Sequence, residues 1–224
     1  MSATPSATSS RTDGDHKTQI RPLSIVIRTA MEHHPFFIEW KSPVSLLQTA
    51  NLTIVPCKPE DSADFIALEG DPEVMRFLTG GRIGALMQSS IEDTYLRPRG
   101  TEPHVWTARR TRSGSFVGWF CLWPEDAGVA ELGYRLRRAE WGQGLAPEGA
   151  SALIDWGFNI AGYDKIIAST MATNRASRRV LEKCGLEHIR TVQVDWAEAI
   201  PGGEQGESQY EQTRTGWFSA SRGP

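Results

Sequence analysis

Cysteine is scarce in this chain: Cys57, Cys121 and Cys184 are the only three in 224 residues, and none belongs to a CxxC pair. That excludes a disulfide framework and a zinc site of the usual spacing, and it fits a reducing cytoplasm. A surplus of charge is also lacking, since Lys plus Arg number 24 against 27 Asp plus Glu, a net of −3. No long-range field draws in a polyanion, which argues against nucleic acid as a partner, so any bound anion must be held locally. No apolar run reaches the ~20 residues of a membrane helix. The opening Met1-Ser-Ala-Thr-Pro-Ser6 has neither the basic nor the apolar region of a secretory signal, so no membrane partner is expected. What is present is ordinary soluble composition, 39% apolar and 23% charged, enough for one packed domain with added material.

Residues 1–19 are polar and read as a flexible tail, and residues 20–50 read as an N-terminal extension that docks on the domain or belongs to a homodimer contact. The regular pattern starts at Asn51 and runs to Trp217, with a C-terminal tail over 218–224. A strand over 52–55 precedes a helix over 58–68 that opens at Pro59, and Asp71 caps a second helix over 71–78 that Gly80 and Gly81 stop. A further helix is expected over 83–96. Strands over 104–108 and 116–123 flank an Arg-Ser-Gly-Ser turn. A third strand, 129–136, leads through Gly142-Gln-Gly144 into an apolar-periodic helix over 146–160. A strand over 165–170, a helix over 175–183 closed by Gly185, and a hairpin of 189–196 with 209–216 complete a single mixed α/β domain.

The chemistry concentrates at the glycine turn. Two glycines one residue apart let backbone amides approach a ligand without Cβ obstruction, and the following helix aims unpaired N–H groups and its positive dipole end at the same point. The segment is an anion-binding turn or simply a tight turn at positive φ. It is not a Walker loop, because no Gly-Lys-Ser/Thr follows, and not a dinucleotide GxGxxG, because Pro147 stands at the third glycine. Arg137 and Arg138 lie just upstream as local positive charge. Glu131 is a carboxylate in an otherwise apolar strand; it serves as a general base, or faces solvent, or pairs with Arg135. His104 is a second base candidate at a strand edge. Glu148 and Asp155 read as solvent-facing, and His33-His34 as a loop pair rather than metal ligands, so no metal is assigned. Trp106, Trp119, Trp123 and Trp196 fill the core or wall a groove.

Three ordered motifs, Glu131-Leu-Gly-Tyr-Arg-Leu136, Trp141-Gly-Gln-Gly-Leu-Ala146-Pro-Glu148 and Asn174-Arg-Ala-Ser177-Arg-Arg-Val-Leu-Glu-Lys183, together resemble the GNAT acetyltransferase superfamily and within it the RimJ/RimL-like branch. The resemblance covers residues 51–217. It implies an α/β fold with a predominantly antiparallel sheet flanked by helices, and direct acetyl transfer from acetyl-CoA to a primary amine in a ternary complex. It further implies that the pyrophosphate rests on the turn Trp141, Gly142, Gln143, Gly144, Leu145 and Ala146. The pantetheine arm would run along Leu132, Gly133, Tyr134 and Leu136, where the next strand splays away. Asn174 would meet the pantetheine, and Ser177 would lie near the thioester sulfur as the hydroxyl that bonds the thiolate, unless it only caps its helix.

Two positions depart from the family pattern. Ala139 stands where Gln or Arg is common, and Leu181 where many relatives have a tyrosine that protonates the thiolate. Both departures motivate an alternative, a degenerate CoA-binding regulatory or scaffold protein without turnover. The acceptor is a protein N-terminus or a small-molecule amine, a choice that groove shape decides.

Overall fold

The computed structural model describes residues 46–83, 104–196 and 199–221. The tail over 1–19, the extension up to residue 45 with its expected dimer contact, and the helix expected over 83–96 beyond Ile83 lie outside the described residues. Short alternating or fully apolar runs bounded by turns make strands β1 (Leu47–Gln48), β2 (Leu52–Pro56), β3 (Val105–Arg110), β4 (Phe116–Asp126), β5 (Val129–Leu136), β6 (Lys165–Met171), β7 (Glu187–Val192) and β8 (Glu207–Thr213). They form one sheet in the order β1-β2-β3-β4-β5-β6-β8-β7. Every neighbouring pair is antiparallel except β5 with β6, which is parallel. The sheet is therefore mixed and mostly antiparallel, as expected.

Helices cover both faces. On one face lie α1 (Ser62–Glu69) and the short α2 (Pro72–Met75); Asp71 caps α2 by accepting the Glu73 N–H at 2.9 Å. Phe65 and Leu68 of α1 pack there on Phe116, Trp119 and Cys121. On the opposite face lie α3 (Leu145–Trp156), continued by a π-helical turn Gly157–Ala161, then α4 (Arg175–Lys183) and α5 (Arg214–Ser221). Leu145, Ala150, Leu153 and Ile154 of α3 bury against Phe120, Leu122, Leu132 and Leu136. α3 approaches β4 so closely that a Cβ on Gly149 would stand 2.3 Å from the Phe120 ring. An alanine there overpacks the core, at a typical cost of about 1–3 kcal/mol.

The differences from expectation have local causes. The helix over 146–160 leaves α geometry at Gly157, where a Cβ would meet Leu122 at 2.6 Å, and continues as a π turn. The last strand ends at Thr213 rather than 216, because 214–221 turn into α5, whose Trp217 packs against Phe158. The first strand lies before Asn51: Leu47 pairs with Ile54. Glu148 does not simply face solvent. Its carboxylate accepts bonds from the Thr49 hydroxyl at 2.5 Å and from the Asn51 amide and side chain at 2.7 and 3.0 Å, which ties that strand to α3 and lowers its pKa.

Candidate active site

β5 and β6 pair only at Val129 with Lys165, Ala130 with Ile166 and Glu131 with Ile167; beyond Glu131 they part. The separation leaves the β6-facing backbone of residues 132–136 as an edge that β6 does not pair, ready to bond an extended ligand except at the Leu136 carbonyl, which the Trp141 indole takes. Side chains alternate along β5, so Leu132, Tyr134 and Leu136 point to the α3 face and Glu131 and Arg135 to the α1 face. A cavity of about 440 Å³ opens at this split, and residues from both faces line it. It runs through the sheet, from the glycine turn on one side to β8 and to α2 with the residues after it on the other.

At the first end the backbone does the work. Gly142 and Gly144 adopt φ +73° and +79°, and a Cβ on either would meet nothing within 4 Å, so the space before the turn is open. Gly144 caps α3 without a side-chain bond, Pro147 needs no donor in the first turn, and the amides of Leu145 and Ala146 have no intrahelical acceptor. The Trp141 indole donates to the Leu136 carbonyl at 2.8 Å and holds the approach to the turn. Gln143 points away, donating to the Ala139 carbonyl at 2.8 Å and accepting from Arg110. Arg137 and Arg138 line a separate recess with Asp64, Asp71 and Phe116, on the other side of this segment. Arg179 lines the main cavity, whereas Arg178 turns inward to the Tyr210 hydroxyl at 2.9 Å.

Midway, Asn174 is the cap of α4, accepting the Ser177 N–H at 3.2 Å. Ser177 therefore sits inside the first turn, with its hydroxyl 2.9 Å from that of Tyr134. Both line the cavity. Burial is the main cause that raises the Tyr134 pKa, which keeps the phenol neutral and able to donate. Leu181 is buried in the core with one side on the cavity.

At the far end Glu131 is 4% exposed and accepts from the Ser169 hydroxyl at 3.0 Å. It is not paired with Arg135, which binds Glu69 of α1 and stacks over Trp119. Burial first, then Glu125 and, more weakly, Glu207, push the Glu131 carboxyl up to about 8, with the Ser169 hydroxyl opposing. Glu207, equally buried and part of the cavity wall, escaped sequence reasoning. Its strand, Glu-Ser-Gln-Tyr-Glu-Gln-Thr, shows no apolar alternation that would mark an inward face. Trp196 and the buried Trp119 line the cavity, Trp106 is core, and His104 lies at the edge against the Trp123 ring. Burial raises the thiols of Cys57 and Cys121 to about 12, so neither is a ready nucleophile. Among the described residues no group of three His, Cys, Asp or Glu is placed to hold a metal ion, and no helix is long and apolar enough to cross a membrane.

Known proteins share this fold. The acetyltransferase (GNAT) domain family matches residues 51–187. The chain is 34% identical over 182 residues to the FsC-acetyl coenzyme A-N(2)-transacetylase of Aspergillus fumigatus, covering 77% of each. Its fold is similar to a GNAT-family acetyltransferase from Bacillus anthracis (TM-score 0.62, 18% identity, 76% of this chain and 99% of that one). It is also similar to the spermidine N-acetyltransferase of Vibrio cholerae solved with CoA and spermine (TM-score 0.65, 14% identity, 76% and 99%). With the parted strands, the open glycine turn and this match over most of its length, the chain belongs to the GNAT family of N-acetyltransferases.

Proposed function

We propose that this enzyme transfers an acetyl group from acetyl-CoA directly to a small-molecule primary amine, the two substrates meeting from opposite faces of the sheet. The observation that carries the reading is the cavity through the split between β5 and β6, with main-chain donors at one end and carboxylates at the other. The open space before Gly142 and Gly144, and the amides of Leu145 and Ala146, suit a diphosphate; each helix-terminal contact contributes roughly 0.3–1 kcal/mol. The free edge of residues 132–136 suits the amide-bearing pantetheine arm. Asn174, whose side-chain oxygen is committed to capping, retains its amide N–H groups for the same arm.

The amine must lose a proton. An alkylammonium with a pKa of about 10.4 is only slightly neutral at pH 7, a cost of roughly 4–5 kcal/mol. Glu131 is the base, reached from the cavity through the Ser169 hydroxyl. A carboxyl held near 8 is far better matched to that proton than an ordinary one. The nitrogen forms its bond to the acetyl carbon and the carbon–sulfur bond breaks; the nitrogen gives up its second proton as the sulfur gains one, and the Ser177 hydroxyl, itself hydrogen-bonded by Tyr134, hydrogen-bonds the departing thiolate. Tyr134 thus supplies, from β5, the phenol that Leu181 does not. Holding both reactants in one cavity supplies several kcal/mol of the barrier.

A small amine as acceptor is supported by the cavity volume and by the relative named FsC-acetyl coenzyme A-N(2)-transacetylase, whose name places the transfer at an N(2) position. The test is acetyl-CoA titration of the full chain combined with thiol release over a panel of amines. Saturable binding with release for small cationic amines is expected. Binding with no release for any amine would make the protein a CoA-binding scaffold instead.

A further inference from the structure

Two carboxylates are buried at the acceptor end with no neutralising partner. Glu131 and Glu207 are each 4% exposed, and among the described residues neither forms an ion pair. Arg135, on the same face of β5 as Glu131, is bound to Glu69. Charge buried without a counter-charge is costly, so burial raises both carboxyls above the usual carboxylate range, and a cation entering the cavity favours their ionised forms.

The two carboxylates are not equivalent. Glu207 and Ser169 form part of the cavity wall, whereas Glu131 stands one hydroxyl behind it. The register explains the meeting. Glu207 lies opposite Met171 on β6, Ser169 lies two residues before Met171, and Glu131 lies opposite Ile167, so all three side chains leave the same face of the sheet. The Ser169 hydroxyl donates to Glu131 at 3.0 Å and lies near enough to Glu207 to favour its charged form as well when it turns that way.

We propose that Glu207 is the carboxylate that receives the acceptor's ammonium, and that it makes the enzyme prefer amines that arrive positively charged. This rests on the acetyltransferase reading of the cavity and adds to it a substrate class. The ammonium docks against Glu207; its proton passes to the Ser169 oxygen as the hydroxyl proton of Ser169 moves to Glu131, which frees the nitrogen lone pair for the acetyl carbon. The charged groups that act on Glu131 are Glu125 from β4 and Glu207 from β8, and both oppose its ionisation. An alkoxyamine, neutral near pH 7, presents a nitrogen lone pair of similar shape and gains nothing from Glu207.

The experiment measures thiol release by the full chain with acetyl-CoA at pH 7.5, for alkylamines and for alkoxyamines of matched shape, in wild type and Glu207→Gln, with a thermal melt as the folding control. For alkylamines KM is expected to rise about tenfold or more with kcat within about threefold, and for alkoxyamines KM stays unchanged. Equal KM changes in the two classes, or none in either, overturn the proposal. Glu207→Asp keeps the charge and is expected to keep the preference for alkylamines even if Glu207→Gln does not fold; loss of preference in it also overturns the proposal. Failure of wild type to release thiol with any amine would strike the acetyltransferase reading itself, a distinguishable outcome.

Discussion

The two ends of the cavity recognise their ligands in different ways. At the glycine turn, recognition belongs to the main chain: Gly142 and Gly144 at positive φ, the bare amides of α3, the unpaired edge of β5. At the other end it belongs to side chains brought from three strands: Glu131 from β5, Ser169 from β6 and Glu207 from β8. A main-chain site needs only short contiguous sequence and tolerates many side chains around it. A side-chain site needs the whole sheet to be registered, and it is where acceptor choice is free to vary while the cofactor end stays the same.

That contrast can be broken by substitution. The largest effect is expected from Glu131→Gln, which removes the base: kcat falls by about 10²–10⁴-fold near pH 7, with little change in acetyl-CoA affinity. In wild type, kcat rises with pH through about 8 as Glu131 loses its proton, and in the variant that limb is gone. A steady-state pH series checks both, and an equal loss at every pH would remove the base role.

Gly144→Val strikes the opposite end. It forces a β-branched residue to φ +79°, at about 1–3 kcal/mol of strain, and fills the open space before the turn. Calorimetry is expected to show acetyl-CoA affinity lowered by about tenfold or more. Ser177→Ala is a milder change, lowering turnover by about tenfold while leaving affinity near wild type; Tyr134→Phe shifts turnover in the same direction by less, because Ser177 remains. A wild-type rate in Ser177→Ala would assign that hydroxyl no role at the sulfur.

The smallest effect is on stability. Because folding raises the Glu131 pKa from 4.5 to about 8, the folded state binds the extra proton in that interval. Its contribution is full below pH 4.5 and is lost as pH rises through 8. Denaturant melts between pH 5 and 9 are expected to show a downward slope that Glu131→Gln flattens.

The main-chain end was legible in the sequence because a Gly-x-Gly before an apolar-periodic helix reports backbone geometry directly. β5 and α4 occupy the residues that periodicity and the Asn174 and Gly185 signals predict. The split after Glu131, by contrast, is a tertiary event that only the family resemblance anticipated. Glu207 carried no signal at all, since its inward face is set by pairing with Met171 rather than by any pattern within Glu207–Thr213. Glu148 read as a solvent-facing carboxylate for the same reason: its partners Thr49 and Asn51 lie almost a hundred residues away in sequence. The turn from strand to helix at Arg214 was hidden because Trp217 suits either a strand or, as found, a helix packed on Phe158.

The most direct measurement is a crystal structure of the full chain with coenzyme A and a non-reacting alkylamine. The diphosphate is expected on the amides of Gly142 to Ala146, the sulfur beside Ser177, and the ammonium at Glu207 on the opposite face of the sheet. Both ligands bound on the same face, or the diphosphate away from the glycine turn, would contradict a cavity that joins two substrates through the split between β5 and β6.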